Sequence, residues 1–208
     1  MKTKLFLAAL TISLAACAYS ANGEAANEKS NTNTLEDFYG LVVNTPSNVI
    51  IEQGEQSTIR FEGAQKDMNH TAVKIENGNL VISGTNSNPV TIYITVKEIN
   101  LIEINGNSRL YSSEVINSDL LLLKVNGSGS IRLDVRSLSL GMLVKGSGKI
   151  IASGSTGTSY SRIYGTGKVI SSELDAFESK EESNSGKQAY RMNIRKNSGM
   201  DAPTNLAN

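Results

Sequence analysis

The sequence predicts an all-β fold, a β-solenoid with coils of about 19–21 residues. Three observations lead there. First, glycine-centred turns recur at Asn105-Gly106-Asn107-Ser108, Asn126-Gly127-Ser128-Gly129, Lys145-Gly146-Ser147-Gly148 and Tyr164-Gly165-Thr166-Gly167. Their first glycines lie 21, 19 and 19 residues apart, and near-constant spacing at that length marks a stacked repeat. Second, alignment on those glycines yields apolar columns. Third, tryptophan is absent, aromatics are 5% and prolines number three, while Gly, Ser, Asn and Thr abound. That balance suits many short strands joined by tight turns.

The chain of 208 residues is long enough for one domain of ordinary size. Twenty basic residues balance twenty acidic ones, so no basic excess points to nucleic acid. A single cysteine excludes an intramolecular disulfide.

Residues 1–17 read as a signal peptide. Lys2 and Lys4 form a positive start, and Leu5 to Ala16 is an apolar run short of the ~18 residues a membrane span needs. It ends in Leu14-Ala15-Ala16-Cys17, which resembles a bacterial lipobox. That resemblance implies lipidation of Cys17 and a membrane anchor; ordinary cleavage at Ala16-Cys17-Ala18 is the other reading. Either route exports the protein. Residues 18–34 are small and polar and read as a flexible linker, residues 35–196 as the solenoid domain, and residues 197–208 as a disordered tail.

Phe38 to Val43 and Val49 to Glu52 read as strands around the Asn44–Asn48 turn. Thr58 to Glu62 alternates with the period of a half-buried strand. Gly63 to His70 reads as a polar loop. Val73–Glu76 and Leu80–Ile82 flank Asn77-Gly78-Asn79, a hairpin signal. Val90 to Val96 alternates again. These strands are expected to lengthen the solenoid by several coils.

From Ile99 the repeat takes over. The inward columns before each turn are Ile104, Val125, Val144, Ile163 and Ile102, Leu123, Met142, Ser161. After it come Leu110, Ile131, Ile150, Val169 and Ser112, Leu133, Ala152, Ser171. Between them lie Glu103, Lys124, Leu143, Arg162 and Arg109, Ser130, Lys149, Lys168, which alternation turns toward solvent. A repeated tight corner needs positive φ, so Gly106, Gly127, Gly129, Gly146, Gly148, Gly165 and Gly167 are structural. The second corner of each coil reads as looser: Glu114–Asp119, Asp134–Ser137, Gly154–Gly157 and Ser172–Asp175. Gln188 to Lys196 reads as a charged strand able to cap the solenoid end.

Taken in order, Phe38 to Val43, Val49-Ile50-Ile51-Glu52-Gln53-Gly54, Phe61-Glu62-Gly63, Asn77 to Ile82 and the repeated Gly-Ser-Gly turns resemble a bacterial envelope family. It is the family of head GIN domains of autotransporter adhesins. The resemblance covers roughly Asp37 to Asp175. It implies a single-stranded right-handed β-helix, related in shape to pectin-lyase-like solenoids, and an adhesion role without established catalytic residues.

Candidate chemistry is sparse. His70 is the only histidine, and metal sites and serine triads both need convergent partners. Asp67, in the same loop, reads as a solvated turn residue. Phosphate loops open helices, whereas Gly148-Lys149 and Gly167-Lys168 run into strands. Calcium-binding solenoid repeats carry an Asp that these turns lack. Glu103, Asp119 and Asp134 fall at different coil positions, so no carboxylate pair stands out for hydrolysis.

The expectation is therefore a non-catalytic exported protein without a cofactor, in the outer membrane, periplasm or cell surface of a Gram-negative bacterium. It would bind a surface protein or glycan, on a flat face or on the loops Gly63–His70 and Asn86–Pro89. A carbohydrate-binding or carbohydrate-active β-helix is the alternative, marked by a groove of convergent acids and arginines with tyrosine near Tyr111, Tyr160 or Tyr164. An envelope scaffold that forms a homo-oligomer through a solenoid end is the third.

Overall fold

The computed structural model describes residues 31–183 and 188–192. Cys17, the expected leader and the expected tail lie outside the described residues. In chain order the elements are β1 (Asn31–Thr34), β2 (Gly40–Asn44), β3 (Ser47–Gln53), β4 (Thr58–Glu62), α1 (Gln65–Asn69), β5 (Thr71–Glu76), β6 (Asn79–Gly84) and β7 (Val90–Val96). There follow β8 (Leu101–Gly106), β9 (Arg109–Gly127), β10 (Ser130–Gly146), β11 (Lys149–Gly165), β12 (Lys168–Ser183) and β13 (Gln188–Met192). The fold is a β-solenoid.

The repeat registers as the glycine spacing requires. Ile104, Val125, Val144 and Ile163 stand side by side in parallel pairing, as do Leu110, Ile131, Ile150 and Val169. Most of these inward residues are fully buried. No coil could bury this surface alone, so stacking is what removes it from water. The column of Ile102, Leu123 and Met142 ends in Ser161 and then in Glu181. The apolar interior thus thins toward β12.

The second corner is not a loop. β9, β10 and β11 each run unbroken from one glycine turn to the next, and β12 runs unbroken from the last of these turns to Ser183, all pairing through the bend. Inward side chains continue there as Ile116 beside Val135 and Leu121 beside Leu140, all buried. Hydroxyls hold the bend, with Ser137 donating to Thr156 at 2.9 Å and Thr158 to Ser139 at 3.1 Å. The two additional residues of the 21-residue coil are absorbed just before it, where Arg132 and Asp134 of β10 face Tyr111 and Val115 of β9. Between β10 and β11, polar residues that suggested loose turns form a hydroxyl ladder on a bent strand.

The N-terminal half does extend the solenoid, but by two coils stacked out of chain order. β2 lies between β6 and β8, and β3 between β7 and β9, all in parallel. The first coil, β2–β3, is therefore flanked by the later coil β6–β7 on one side and by the glycine repeat on the other. Local alternation cannot reveal this, because each coil presents the same apolar face to either neighbour. Antiparallel strands finish both ends: β4 on β7 with β1 beyond it, β5 on β6, and β13 on β12. Asn31–Thr34, expected within the linker, is β1 and pairs with Phe61 to Thr58. Backbone pairing places it there despite side chains without periodicity.

The loop expected at Gly63–His70 contains the short helix α1. Asp67 is not solvated: it is buried, with Oδ1 accepting from the backbone amides of Ser87 (3.2 Å) and Asn88 (3.4 Å) and Oδ2 from Asn88 Nδ2 (3.0 Å). These bonds, the Asn88 amide foremost, hold its carboxyl below the usual carboxylate range. They clamp the two loops expected as binding loops to each other.

Candidate binding surface

Each glycine corner is consumed by its neighbour. Ser128 and Gly129 both donate their backbone N–H to the carbonyl of Gly106, at 2.9 and 2.8 Å. Ser147 and Gly148 do the same to Gly127, and Thr166 and Gly167 to Gly146. A phosphate cradle needs such amides free; here they are the ladder between coils. Gly106-Asn107-Ser108 departs from Gly-x-Gly because the coil beside it turns at Thr45-Pro46. Ser108 Oγ donates to the Thr45 carbonyl and accepts from Ser47 N–H (3.2 Å), stitching two unlike corners.

Function is then left to the outward residues. On the face before the glycine turn, most charges are partnered, Lys145 being without a carboxylate partner among the described residues. Lys124 Nζ lies 3.5 Å from Glu103. Asn126 donates to Asn105 (2.8 Å) and Asn105 to Asn44 (2.7 Å), forming an amide ladder. At its far end Glu182 accepts from Tyr160 Oη (2.9 Å) and from Arg162 Nε (2.8 Å), and pairs with Lys180 Nζ (3.0 Å). Bonds from Lys180, Arg162 and Tyr160 hold its carboxyl down at about 2. Arg162 also donates to Tyr164 Oη at 3.2 Å. A smaller cluster lies on the other face, the one after the glycine turn, where β4 and β7 extend the sheet beyond β3: Glu62 joins Arg60 and Tyr93 Oη (2.8 Å), with the Arg60 guanidinium 3.7 Å over the Tyr93 ring. Tyr93 and Arg60 foremost hold Glu62 below its ordinary range.

The face after the glycine turn is different. Its outward ladders read Asn48, Arg109, Ser130, Lys149, Lys168, and beside it Ile50, Tyr111, Arg132, Ile151, Ile170. Arg109, Arg132, Lys149 and Lys168 have no carboxylate partner among the described residues.

A cleft of about 470 Å³ opens where Tyr39 and the connection between β7 and β8 meet the second corner of β9. Tyr39, Glu98, Asn100, Asn117, Asp119 and Leu120 line it. It brings Asp119 to the same opening as Glu98, which the sequence reading did not single out. Alternation could not have found Glu98, which sits in the connection between β7 and β8. Tyr111, Tyr160 and Tyr164 do not line this cleft. Glu103, Asp119 and Asp134 are not brought together: Glu103 pairs with Lys124, while Asp134 lies beside Ser112 at the bulge. His70 is exposed, and its Nδ1 lies 2.7 Å from the Lys66 carbonyl of its own helix.

These features define a class: a β-solenoid whose repeat motif is architectural and whose distinguishing chemistry lies on outward ladders. Residues 37–193 match the family described as "putative auto-transporter adhesin, head GIN domain", and the chain belongs to that family. Solved structures share the fold. An adhesin from Bacteroides fragilis, so described provisionally, is 17% identical with a TM-score of 0.71, covering 76% of this chain and 77% of its own. An adhesin from Parabacteroides merdae is 14% identical with a TM-score of 0.58, over 76% and 78% of the two chains. A protein from Parabacteroides distasonis described as lipid binding is 12% identical with a TM-score of 0.60, over 76% and 79%. None of the curated proteins matches the sequence.

Proposed function

We propose that the protein is a non-catalytic adhesin-like module of the cell envelope, which binds a surface partner through the outward ladders of its solenoid. The observation that carries this reading is the division of labour just described: backbone ladders take up the glycine corners, leaving side-chain chemistry to flat, regular faces. Family membership supports it. Export follows from the leader-like start, with a lipid on Cys17 as the anchor of a Gram-negative outer membrane protein. Palmitate incorporation tests the anchor: label is expected in the natural chain and lost in Cys17→Ser, and label retained in that variant contradicts it.

The carbohydrate reading has one observation in its favour, the cleft that places Tyr39 beside Glu98 and Asp119. An aromatic ring with neighbouring acids and amides is the chemistry that holds a sugar. One experiment addresses both readings. The full chain is screened on an array of surface glycans and matrix proteins while release of reducing sugar is followed. Saturable binding without release is expected. Release of reducing sugar, with loss in Glu98→Gln or Asp119→Asn, contradicts the non-catalytic reading.

A further inference from the structure

The face after the glycine turn carries a row of cations in a form that selects a ligand shape. Successive rungs of the sheet stand ~4.8 Å apart. Lys149 and Lys168 occupy adjacent rungs of one ladder, and Arg109 lies two rungs before Lys149 with Ser130 between. Arg132 sits in the next ladder, on the rung of Ser130. Arg109, Arg132, Lys149 and Lys168 are exposed. Over the repeat the acids on this side, Asp134 and Glu173, lie toward the second corner in a different ladder, with Glu114 lining the same shallow cleft as Arg132 and Asp134; Glu62 lies three rungs beyond Arg109 and is paired with Arg60. The face is thus basic along the glycine edge and acidic along the far edge, although the whole chain carries no net charge.

Two flanking rows add to the cations. Along the glycine corner itself, Asn107, Ser128, Ser147 and Thr166 are exposed. Their side chains offer hydroxyls and an amide beside each cationic rung. On the other flank, Ile50, Tyr111, Ile151 and Ile170 form a ladder that is apolar but for Arg132 between Tyr111 and Ile151, and Tyr111 is 44% exposed. From edge to centre each rung therefore runs hydrogen-bonding group, cation or serine, apolar or guanidinium side chain.

We infer that this face is the docking surface for a linear acidic polysaccharide, laid along the solenoid axis with its carboxylates on Arg109, Arg132, Lys149 and Lys168. An extended chain of pyranose units advances by nearly one rung per sugar, so carboxylates that face the sheet fall a whole number of rungs apart, as the cations do. Sugar hydroxyls meet the Ser128, Ser147 and Thr166 row, and the apolar faces of the rings lie on Tyr111 and the isoleucines. Cations confined to two adjacent ladders along the axis fit a line of anions rather than a plane of lipid headgroups. The inference deepens the binding reading above and rests on it.

The test is equilibrium binding of the full chain to polygalacturonate, with neutral dextran and anionic phosphatidylglycerol vesicles as the other arms. The expected result is saturable binding of polygalacturonate that weakens as salt rises, with little binding of dextran or vesicles. The double variant Lys149→Gln/Lys168→Gln should lose at least about tenfold in affinity and show a shallower salt dependence. Lys66→Gln/Lys74→Gln removes the same charge elsewhere and should bind as the natural chain does. Unchanged melting of both variants verifies folding. No polygalacturonate binding, equal loss in both double variants, or preference for the vesicles overturns the inference. If the array detects a partner while the ladder variant binds it normally, the adhesin reading stands and this inference alone falls.

Discussion

Gly106 and Gly146 hold equivalent corners, with φ of +104° and +110°, yet their surroundings differ. A Cβ on Gly106 would meet nothing within 4 Å, whereas one on Gly146 would lie 2.7 Å from the Gly127 carbonyl oxygen. Alanine at Gly106 therefore meets only the backbone penalty of positive φ, about 1–2 kcal/mol. Alanine at Gly146 adds a clash with backbone that cannot yield. Thermal unfolding should show Gly146→Ala melting clearly below Gly106→Ala, and the reverse order would contradict this account of the corners. Glu182 makes a second prediction. Its carboxyl is held at about 2 against an ordinary 4.5, so its contribution is present above about pH 4.5 and is lost as pH falls toward 2. Glu182→Gln should flatten the pH dependence of melting across that window, and an unchanged profile would show that the cluster with Arg162, Lys180 and Tyr160 contributes nothing there.

The solenoid's last long strand, β12, has the weakest interior support. Its partners in the buried columns are Glu181 and the part-buried Val169 and Leu174, where earlier coils place Leu123, Ile131 and Val135. Stability at this end then depends on β13, whose antiparallel pairing with Glu178 to Glu182 covers the β12 edge. Ending the chain after Ser183 should expose that edge and produce concentration-dependent association in size-exclusion chromatography; a monodisperse monomer would show that β13 is dispensable. The glycine corners and their columns were legible in the sequence because a coil repeat places equivalent residues at fixed steps. The second corner was not, because Ser137, Thr156 and Thr158 have loop-like composition while their hydroxyls bond along a continuous strand. Asp67 was misread for a related reason: its partners, Ser87 and Asn88, are distant in sequence.

At the scale of the molecule, the stacking order carries the main surprise. Tyr93, Ile50 and Tyr111 occupy successive rungs, so Ile50 separates two residues that chain order would make neighbours. Adjacent rungs at ~4.8 Å fall within disulfide reach, and two rungs at roughly 10 Å do not. Oxidative crosslinking should join Ile50→Cys to Tyr111→Cys and leave Tyr93→Cys/Tyr111→Cys open; the opposite pattern would restore stacking in chain order. This order brings the coil β2–β3 beside β9, and with it Ile50 beside Tyr111 at the head of the outward ladder and Tyr39 beside Leu120 in the cleft. Periodicity yielded Arg109, Lys149 and Lys168 as solvent-facing residues, while Arg132, in the neighbouring ladder, was not singled out. Their freedom from partners depends on where distant acids fall, which one-dimensional spacing does not contain. The central claim is that binding belongs to the outward basic face and not to the glycine corners or the cleft. Amide chemical-shift mapping of the full chain titrated with a short galacturonate oligomer tests it most directly. Shifts concentrated at Arg109, Tyr111, Arg132, Lys149 and Lys168 are the predicted result; shifts centred on Tyr39, Glu98 and Asn117 to Leu120 would contradict it.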